Sequence, residues 1–170
     1  MKIIFLDIDG VLNCESTFIK REEHFDMTGE ILSDVDEEKV ILLMQIVKQT
    51  DAKIVLTSSW RDSWEKQGEK YVPIRDSSKK ADEIFKRNGI EIYSITPHIK
   101  ENRPKEISKW LDNHGGKENI KFISLDDDFF KFQYDMYGIG DCLVHTCFYG
   151  PDGGLKREHV NKAVEILNGK

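Results

Sequence analysis

Acidic residues close to the N-terminus are the first candidates for chemistry in this 170-residue chain. The segment FLDIDGVLN places Asp7 and Asp9 at the end of a short apolar run. Carboxylates at positions i and i+2 of a continuing strand would point to opposite faces. Gly10 lets the backbone bend directly after Asp9, so that both groups can face one site. We expect the main-chain carbonyl of Asp9 to be available at the same site.

Three further groups of polar residues occur at the boundaries of predicted elements. Gathered carboxylates repel one another unless a cation joins them, and hard oxygen ligands suit Mg²⁺. Hydroxyls can hold phosphate oxygens, and a basic side chain can offset charge in a phosphoryl-transfer transition state. Together these residue types predict magnesium-dependent phosphoryl transfer. The groups are the hydroxyls Thr57, Ser58 and Ser59, the bases Arg103 and Lys105, and the acids Asp126, Asp127 and Asp128.

The elements that must position these groups alternate between strand and helix. Apolar runs predict strands at 2–8, 52–57, 90–96, 120–126 and 141–146. Helical patterns cover 36–50, 77–89, 104–116 and about 156–168, and a short polar helix is predicted around 61–70. This alternation predicts an α/β fold, a three-layer Rossmann-like sandwich with a mainly parallel five-stranded sheet. Because ligands of such folds bind beyond the carboxyl ends of the strands, we expect the polar groups to converge there.

The remaining features limit the domain organisation and the partners. The length suits one domain over 1–170, and the weakly periodic segment 13–33 is predicted to be a loop or small hairpin that acts as a flap. Neither GxGxxG nor GxxxxGK[ST] occurs, which argues against a dinucleotide cofactor. No apolar stretch is long enough to span a membrane, so a cytoplasmic location is expected. The net charge of -6 gives no overall support for nucleic-acid binding, although a local basic groove remains compatible with it.

In their order along the chain, these motifs resemble those of the haloacid dehalogenase (HAD) superfamily of phosphohydrolases. FLDIDGVLN matches the first motif, IVLTSS resembles the second, Arg103-Pro104 looks like the third, and FISLDDD looks like the fourth. The resemblance runs from the first predicted strand to the fifth. It implies a HAD-type phosphatase that hydrolyses phosphate monoesters through an aspartyl-phosphate intermediate.

The resemblance also implies a role for each acid. Asp7 would be the nucleophile that becomes phosphorylated. Asp9 would protonate the leaving oxygen and then activate water. Mg²⁺ would be held by Asp7, the main-chain carbonyl of Asp9 and Asp127, with Asp126 nearby or bridging through water.

The phosphate contacts follow from the second and third motifs in the same way. Thr57 or Ser58 would bind phosphate. Arg103 is the first choice for the motif cation because it precedes a proline at a predicted helix start, and Lys105 is the reserve.

A narrower resemblance concerns the substrate. DIDGVLN, TSSWR, RPKEISKWL and LDDD, in that order, are similar to small HAD domains linked with nucleic-acid end repair, which implies action on polynucleotide termini, at either the 3′ or the 5′ end. Trp60 is a candidate to stack on a base or ribose, with a structural anchor as the alternative, and Arg61 is a candidate phosphate contact. The spacing between motifs leaves no room for a sizeable cap, so an open site that accepts bulky substrates is expected.

Two other functions remain open at this point. A nucleotidase or small-metabolite phosphatase would use the same chemistry, and the negative net charge favours it. A non-catalytic, receiver-like regulatory module would also combine acids, a hydroxyl and a basic residue on a parallel sheet. In receivers, however, paired acids come first and the phosphorylated acid lies on a later strand, whereas here DxDG opens the chain.

Overall fold

The computed structural model describes residues 1–100, 102–150 and 152–169. Five parallel strands form the main sheet in the order β5-β2-β1-β6-β7, and β3 and β4 form a separate antiparallel hairpin. The parallel five-stranded sheet predicted from the alternating pattern is therefore confirmed. The strands are β1 (Lys2–Leu6), β2 (Lys53–Leu56), β3 (Trp64–Gln67), β4 (Lys70–Pro73), β5 (Ile92–Ile95), β6 (Lys121–Asp126) and β7 (Leu143–His145).

Helices cover both faces of the sheet. Alternate residues of β1 are therefore buried on opposite sides. Ile4 and Leu6 belong to one apolar core, which includes residues of α2, α3 and α6. Ile3 and Phe5 belong to a second core, with residues of α4 and α5. Among the described residues, no helix combines the length and the apolar character that crossing a membrane requires. The helices are α1 (Glu15–Thr28), α2 (Glu37–Thr50), α3 (Asp76–Arg87), α4 (Arg103–Asn113), α5 (Lys131–Asp135) and α6 (Arg157–Asn168).

The short polar helix predicted around 61–70 is wrong. A 3₁₀ turn at Ser59–Ser63 leads into the β3–β4 hairpin instead. Trp64 is buried and its ring lies parallel to that of Phe85, with 6.3 Å between centroids, so the hairpin is anchored to α3. Gly68, with φ of 64°, supplies the left-handed conformation that its tight turn requires.

The loop or hairpin predicted for 13–33 is also wrong over most of its length. Residues Glu15–Thr28 form the 14-residue helix α1, which ends where Gly29 adopts φ of 73° and donates to the carbonyl of Phe25. Only Thr17 is buried in this helix, so it lacks the long apolar stripe by which most surface helices are recognised. Its contact with the rest of the fold includes Phe18, whose ring centroid lies 5.9 Å from that of Phe148.

Candidate active site

The polar groups predicted to converge do meet at the carboxyl end of the sheet. The main-chain N–H of Asp7 donates to Leu125 in β6 at 3.1 Å, and that of Thr57 donates to Leu6 in β1 at 2.9 Å. The three strands β1, β2 and β6 therefore end at one level. Parallel pairing in the centre of the sheet thus brings together residues that are far apart in the sequence.

Asp7 is a buried carboxylate with two separate donors. Oδ1 accepts from the main-chain N–H of Ile8 at 2.8 Å, and Oδ2 accepts from Nη1 of Arg103 at 2.5 Å. Burial raises the pKa of Asp7 to about 7; Arg103 acts in the opposite direction, and the nearby Asp126 raises the pKa further. The ionised form of Asp7 therefore needs more positive charge than Arg103 provides.

Arg103, rather than Lys105, is the base that faces the acids. Its Nη1 donates to Asp7 and also to Oδ1 of Asp126, at 2.6 Å, and its guanidinium carbon lies 5.2 Å from the centre of the Phe129 ring. The start of α4 orients it: Asn102 accepts a hydrogen bond from the main-chain N–H of Lys105 and so caps the helix. The side chain of Lys105 is exposed.

Asp7, Asp126 and Asp127 form an acidic group, in which one carboxylate oxygen of each residue lies within 4.8 Å of the others. Burial, and after it the charges of Asp126 and Asp128, raises the pKa of Asp127 to about 6. Gly10 has φ of 69°, and a Cβ atom built there would overlap the Asp127 carboxylate. A glycine is therefore required for the acids to approach this closely. This set of hard oxygen donors fits Mg²⁺.

Asp126 accepts four hydrogen bonds from the protein, twice as many as Asp7. Oδ1 accepts from Arg103 and from the main-chain N–H groups of Asp128 and Phe129, at 2.9 and 3.2 Å. Oδ2 accepts from the hydroxyl of Tyr134 at 2.6 Å. Asp126 is thus suited to positioning Arg103 and the loop that carries Asp127. The sequence did not single out Tyr134, whose α5 was not predicted.

Asp9 lies outside the acidic group and is held by neutral donors. Oδ1 accepts from the side-chain amide of Asn13 at 2.8 Å, and Oδ2 accepts from the indole N–H of Trp60 at 3.1 Å. Asn13 also accepts from the main-chain N–H of Gly10 at 3.0 Å. Sequence reasoning missed Asn13, although its position four residues after Asp9 in DIDGVLN is compatible with such a local contact. The sequence predicts Trp60 to be a stacking surface or an anchor, and it does not indicate the polar bond to Asp9.

Thr57 and Ser58 are both buried beside Asp7. The Oγ1 atom of Thr57 has no hydrogen-bond partner among the residues that the structure describes. The Ser58 hydroxyl accepts from the main-chain N–H of Trp60 at 3.3 Å and lies close enough to Asp7 to lower the pKa of that carboxyl. A buried hydroxyl without a partner is unfavourable by about 1–3 kcal/mol, so the Thr57 hydroxyl indicates a place for a ligand oxygen.

Arg61 is buried, and its guanidinium is hydrogen-bonded to groups of the protein. It is 5% exposed, and its guanidinium donates to both oxygens of the buried Glu106, at 2.7 and 3.1 Å. A further bond of 2.9 Å reaches the carbonyl of Thr57. These bonds give Arg61 a structural role, because they fasten the segment after β2 to α4. Arg61 also lines the cleft described next, so its contact with phosphate stays a prediction.

An open cleft of about 300 Å³ lies next to these groups. It reaches from the second motif to the fourth, so a phosphate bound between Thr57 and Arg103 would have room for an attached group. The volume is at the lower end of the range of small-molecule sites. Residues lining the cleft include Thr57, Ser59, Asp62, His98, Arg103, Asp128 and Phe129.

A protein-family model described as "HAD domain in Swiss Army Knife RNA repair proteins" matches residues 3–160. The matched range begins in β1 and ends in α6, and it includes every residue of the site described above. No curated protein and no solved structure matches the chain.

Proposed function

Because the chain belongs to the HAD domains of Swiss Army Knife RNA repair proteins, we propose that it is a magnesium-dependent phosphatase acting on phosphorylated RNA ends. Its family supports a phosphatase-type hydrolase. The magnesium dependence, the action on RNA ends and the aspartyl-phosphate route are the parts we add. One observation carries the proposal, the different surroundings of the two acids. Asp7 lies in the acidic group and accepts a hydrogen bond from Arg103, whereas Asp9, two residues later in the sequence, accepts hydrogen bonds from neutral donors only. This separation suits a nucleophile and a proton carrier.

In the first step, a carboxylate oxygen of Asp7 attacks the phosphorus atom. The bond between phosphorus and the ester oxygen breaks, and protonated Asp9 gives its proton to that leaving oxygen. Arg103 offsets the negative charge that develops, and the hydroxyls of Thr57 and Ser58 hold phosphate oxygens. The products are the free alcohol and phosphorylated Asp7.

In the second step, Asp9 acts as the base. Its carboxylate takes a proton from water, and the water oxygen attacks phosphorus while the bond to Asp7 breaks. Inorganic phosphate leaves, and Asp9 is protonated again for the next cycle. Asn13 and Trp60 each hold one oxygen of Asp9, so the carboxyl group keeps its direction through both steps.

The residues that would hold Mg²⁺ are Asp7, Asp127 and the main-chain carbonyl of Asp9. When bound, the ion supplies the positive charge that draws the phosphate oxygens and the acidic group together. The raised pKa values of Asp7 and Asp127 support this assignment, because both carboxyls lack sufficient neighbouring cations. Asp126 serves it indirectly, through the bonds that hold Arg103 and the loop bearing Asp127.

RNA ends are preferred to small metabolites for two reasons. The matching family is described by its place in RNA repair proteins, and the cleft beside Arg103 is open, so a bulky substrate can enter. The net charge of -6 favours the alternative of a nucleotidase. These alternatives differ in their substrates and share the chemistry at Asp7.

The deciding experiment measures phosphate release with Mg²⁺ from oligoribonucleotides phosphorylated at the 3′ or 5′ end and from mononucleotides. We expect the oligonucleotides to be preferred, EDTA to stop the reaction, and Asp7→Asn to remove it. Asp112→Asn, which alters an exposed acid in α4, is the matched control and should behave like the wild type. Preference for mononucleotides would favour the nucleotidase. Absence of turnover with every phosphoester would overturn the enzyme and favour a regulatory module.

A further inference from the structure

Three exposed aromatic side chains, Phe130, Phe132 and His145, form what we call the aromatic patch. The rings of Phe130 and Phe132 are 6.3 Å apart between centroids and inclined by 8°. Those of Phe130 and His145 are 5.3 Å apart and inclined by 20°. Phe130 is 56% exposed and Phe132 is 66% exposed. The patch is therefore a nearly parallel stack of rings that remains open to solvent.

The aromatic patch lies beside the acidic group. His145 in β7 is the register partner of Asp126 in β6, and register partners in a parallel pair point to the same face of the sheet. Phe130 follows Asp128 by two residues, and the intervening Phe129 lies under the Arg103 guanidinium. The same short segment thus supplies both the acids of the fourth motif and two rings of the patch.

The fold does not need these rings for its core. Neighbouring aromatics do the packing: Tyr134 is fully buried, and Phe129 is partly buried against the second core. Clustered apolar side chains that stay exposed are a typical sign of an interaction site. Three rings are few compared with the 20–30 residues that each partner contributes to a stable protein interface, so a small ligand surface fits better than a second protein.

We propose that the aromatic patch stacks a nucleobase of the strand whose end is dephosphorylated. This rests on the proposed function, since it places the base next to the phosphate that Asp7 attacks. Each nucleobase has a flat π face, and aromatic side chains bind single strands by stacking with little regard to sequence. Because the three rings are almost parallel, a base can continue their stack.

Charge around the aromatic patch agrees with stacking as the main contact. Lys131, between the two phenylalanines, donates to Asp135 and Asp141, both at 2.9 Å. Its ammonium group is therefore already paired with acids of the protein. A phosphate-tracking groove would instead present unpaired basic side chains. The proposal thus assigns the patch to the base and leaves the terminal phosphate to Arg103 and Thr57.

The test compares a phosphorylated oligoribonucleotide with the same oligonucleotide made abasic at its phosphorylated end. For the double variant Phe130→Ala, Phe132→Ala, we expect the ratio of kcat/KM between the two substrates to fall about ten-fold, the usual size of one lost stacking contact. Phe132→Trp should keep the ratio. Tyr93→Ala is the matched control, because Tyr93 is a 42% exposed aromatic in β5 at the opposite edge of the sheet.

The outcomes separate this inference from the proposed function. Wild-type turnover of the abasic substrate tests the phosphatase alone. An equal loss on both substrates in the double variant would overturn the aromatic patch as a base site, as would light scattering that shows a wild-type dimer and a variant monomer. If the wild type hydrolyses neither substrate, fluorescence anisotropy of labelled single-stranded RNA still tests the inference. An affinity about ten-fold weaker in the double variant than in the wild type supports it. Equal affinities contradict it.

Discussion

Asp7 and Asp9 are two residues apart, yet they lie in opposite electrostatic surroundings. Asp7 is buried among acids, with Arg103 as its one ion-pair partner among the described residues. Asp9 is partly exposed, and its two oxygens are held by the neutral donors of Asn13 and Trp60. Environment rather than residue type therefore divides their roles. The surroundings of Asp7 concentrate negative charge, and those of Asp9 orient a single carboxyl group.

Removing each carboxylate in turn gives the largest expected effect. Asp7→Asn should lower kcat by about 10³-fold or more, because no phosphorylated intermediate can form. Asp9→Asn should lower kcat by about 10²–10⁴-fold while Asp7 still becomes phosphorylated, because only proton transfer is lost. Intact-protein mass spectrometry after rapid quenching distinguishes them. A phosphorylated Asp7→Asn protein, or an Asp9→Asn protein that never carries phosphate, would contradict the assignment.

The next test concerns Gly10, which lies against the Asp127 carboxylate and also donates a hydrogen bond to Asn13, the partner of Asp9. Gly10→Ala adds a Cβ where the Asp127 carboxylate lies, so we expect Mg²⁺ affinity to fall by about ten- to a hundred-fold, as for other changes that displace metal ligands. Isothermal titration calorimetry measures it. Gly68→Ala is a matched control: its φ of 64° imposes similar backbone strain, but a Cβ there meets open space. Equal Mg²⁺ affinity in the two variants would contradict a role for the close approach of Gly10 to Asp127.

The stability of the metal-free protein should depend on pH because of the buried acidic group. Burial raises the pKa of Asp7 to about 7 in the folded state, so between pH 4 and 7 the folded protein holds a proton that the unfolded chain has lost. The free energy of unfolding therefore falls as pH rises through this window, and between pH 5.5 and 8 it falls by about 2 kcal/mol. Urea denaturation at pH 5.5 and 8 measures this.

Two comparisons make the pH experiment specific. Mg²⁺ should restore stability at pH 8, because it binds the ionised carboxylates of the folded state. Asp7→Asn should remove most of the pH dependence and leave the smaller part that comes from Asp127, whereas Asp112→Asn should leave it as in the wild type. A metal-free protein that becomes more stable between pH 5.5 and 8 would have the opposite sign from that expected here.

The smallest expected effect concerns the hydrogen bond by which Trp60 orients the Asp9 carboxyl group. Trp60→Phe keeps an aromatic ring but removes the donor to Asp9. We expect kcat to fall about five- to ten-fold, within the range of one ordinary protein hydrogen bond, with little change in KM. Trp110→Phe is the matched control, because it removes an indole bond to Ser94 in the second core. A loss in KM alone would point instead to substrate stacking on Trp60.

Several features could be predicted from local pattern alone. The apolar run before Asp7 and the alternation of strands with helices predicted the parallel sheet, and the strand ends predicted where the acids would meet. The errors at 13–33 and 61–70 fall where burial is too sparse to leave a periodic signal: α1 buries only Thr17, and Trp64 is the one buried residue of β3. The five-residue α5 is too short to show a helical period. Local sequence has little to report where few side chains reach the core.

By itself the sequence determined which chemical groups are present: two acids followed by a glycine, hydroxyls after β2, a base before a proline, and a run of acids that begins at the end of β6. Only the tertiary structure decided which of these groups are partners. It brings Arg103 into contact with Asp7, which is 96 positions away in the sequence. Trp60 bonds to Asp9 over a separation of 51 positions, and Arg61 bonds to Glu106 over a separation of 45 positions. The physical reason is that hydrogen bonds and ion pairs depend on distance in space, and parallel strands set those distances only after the sheet has formed.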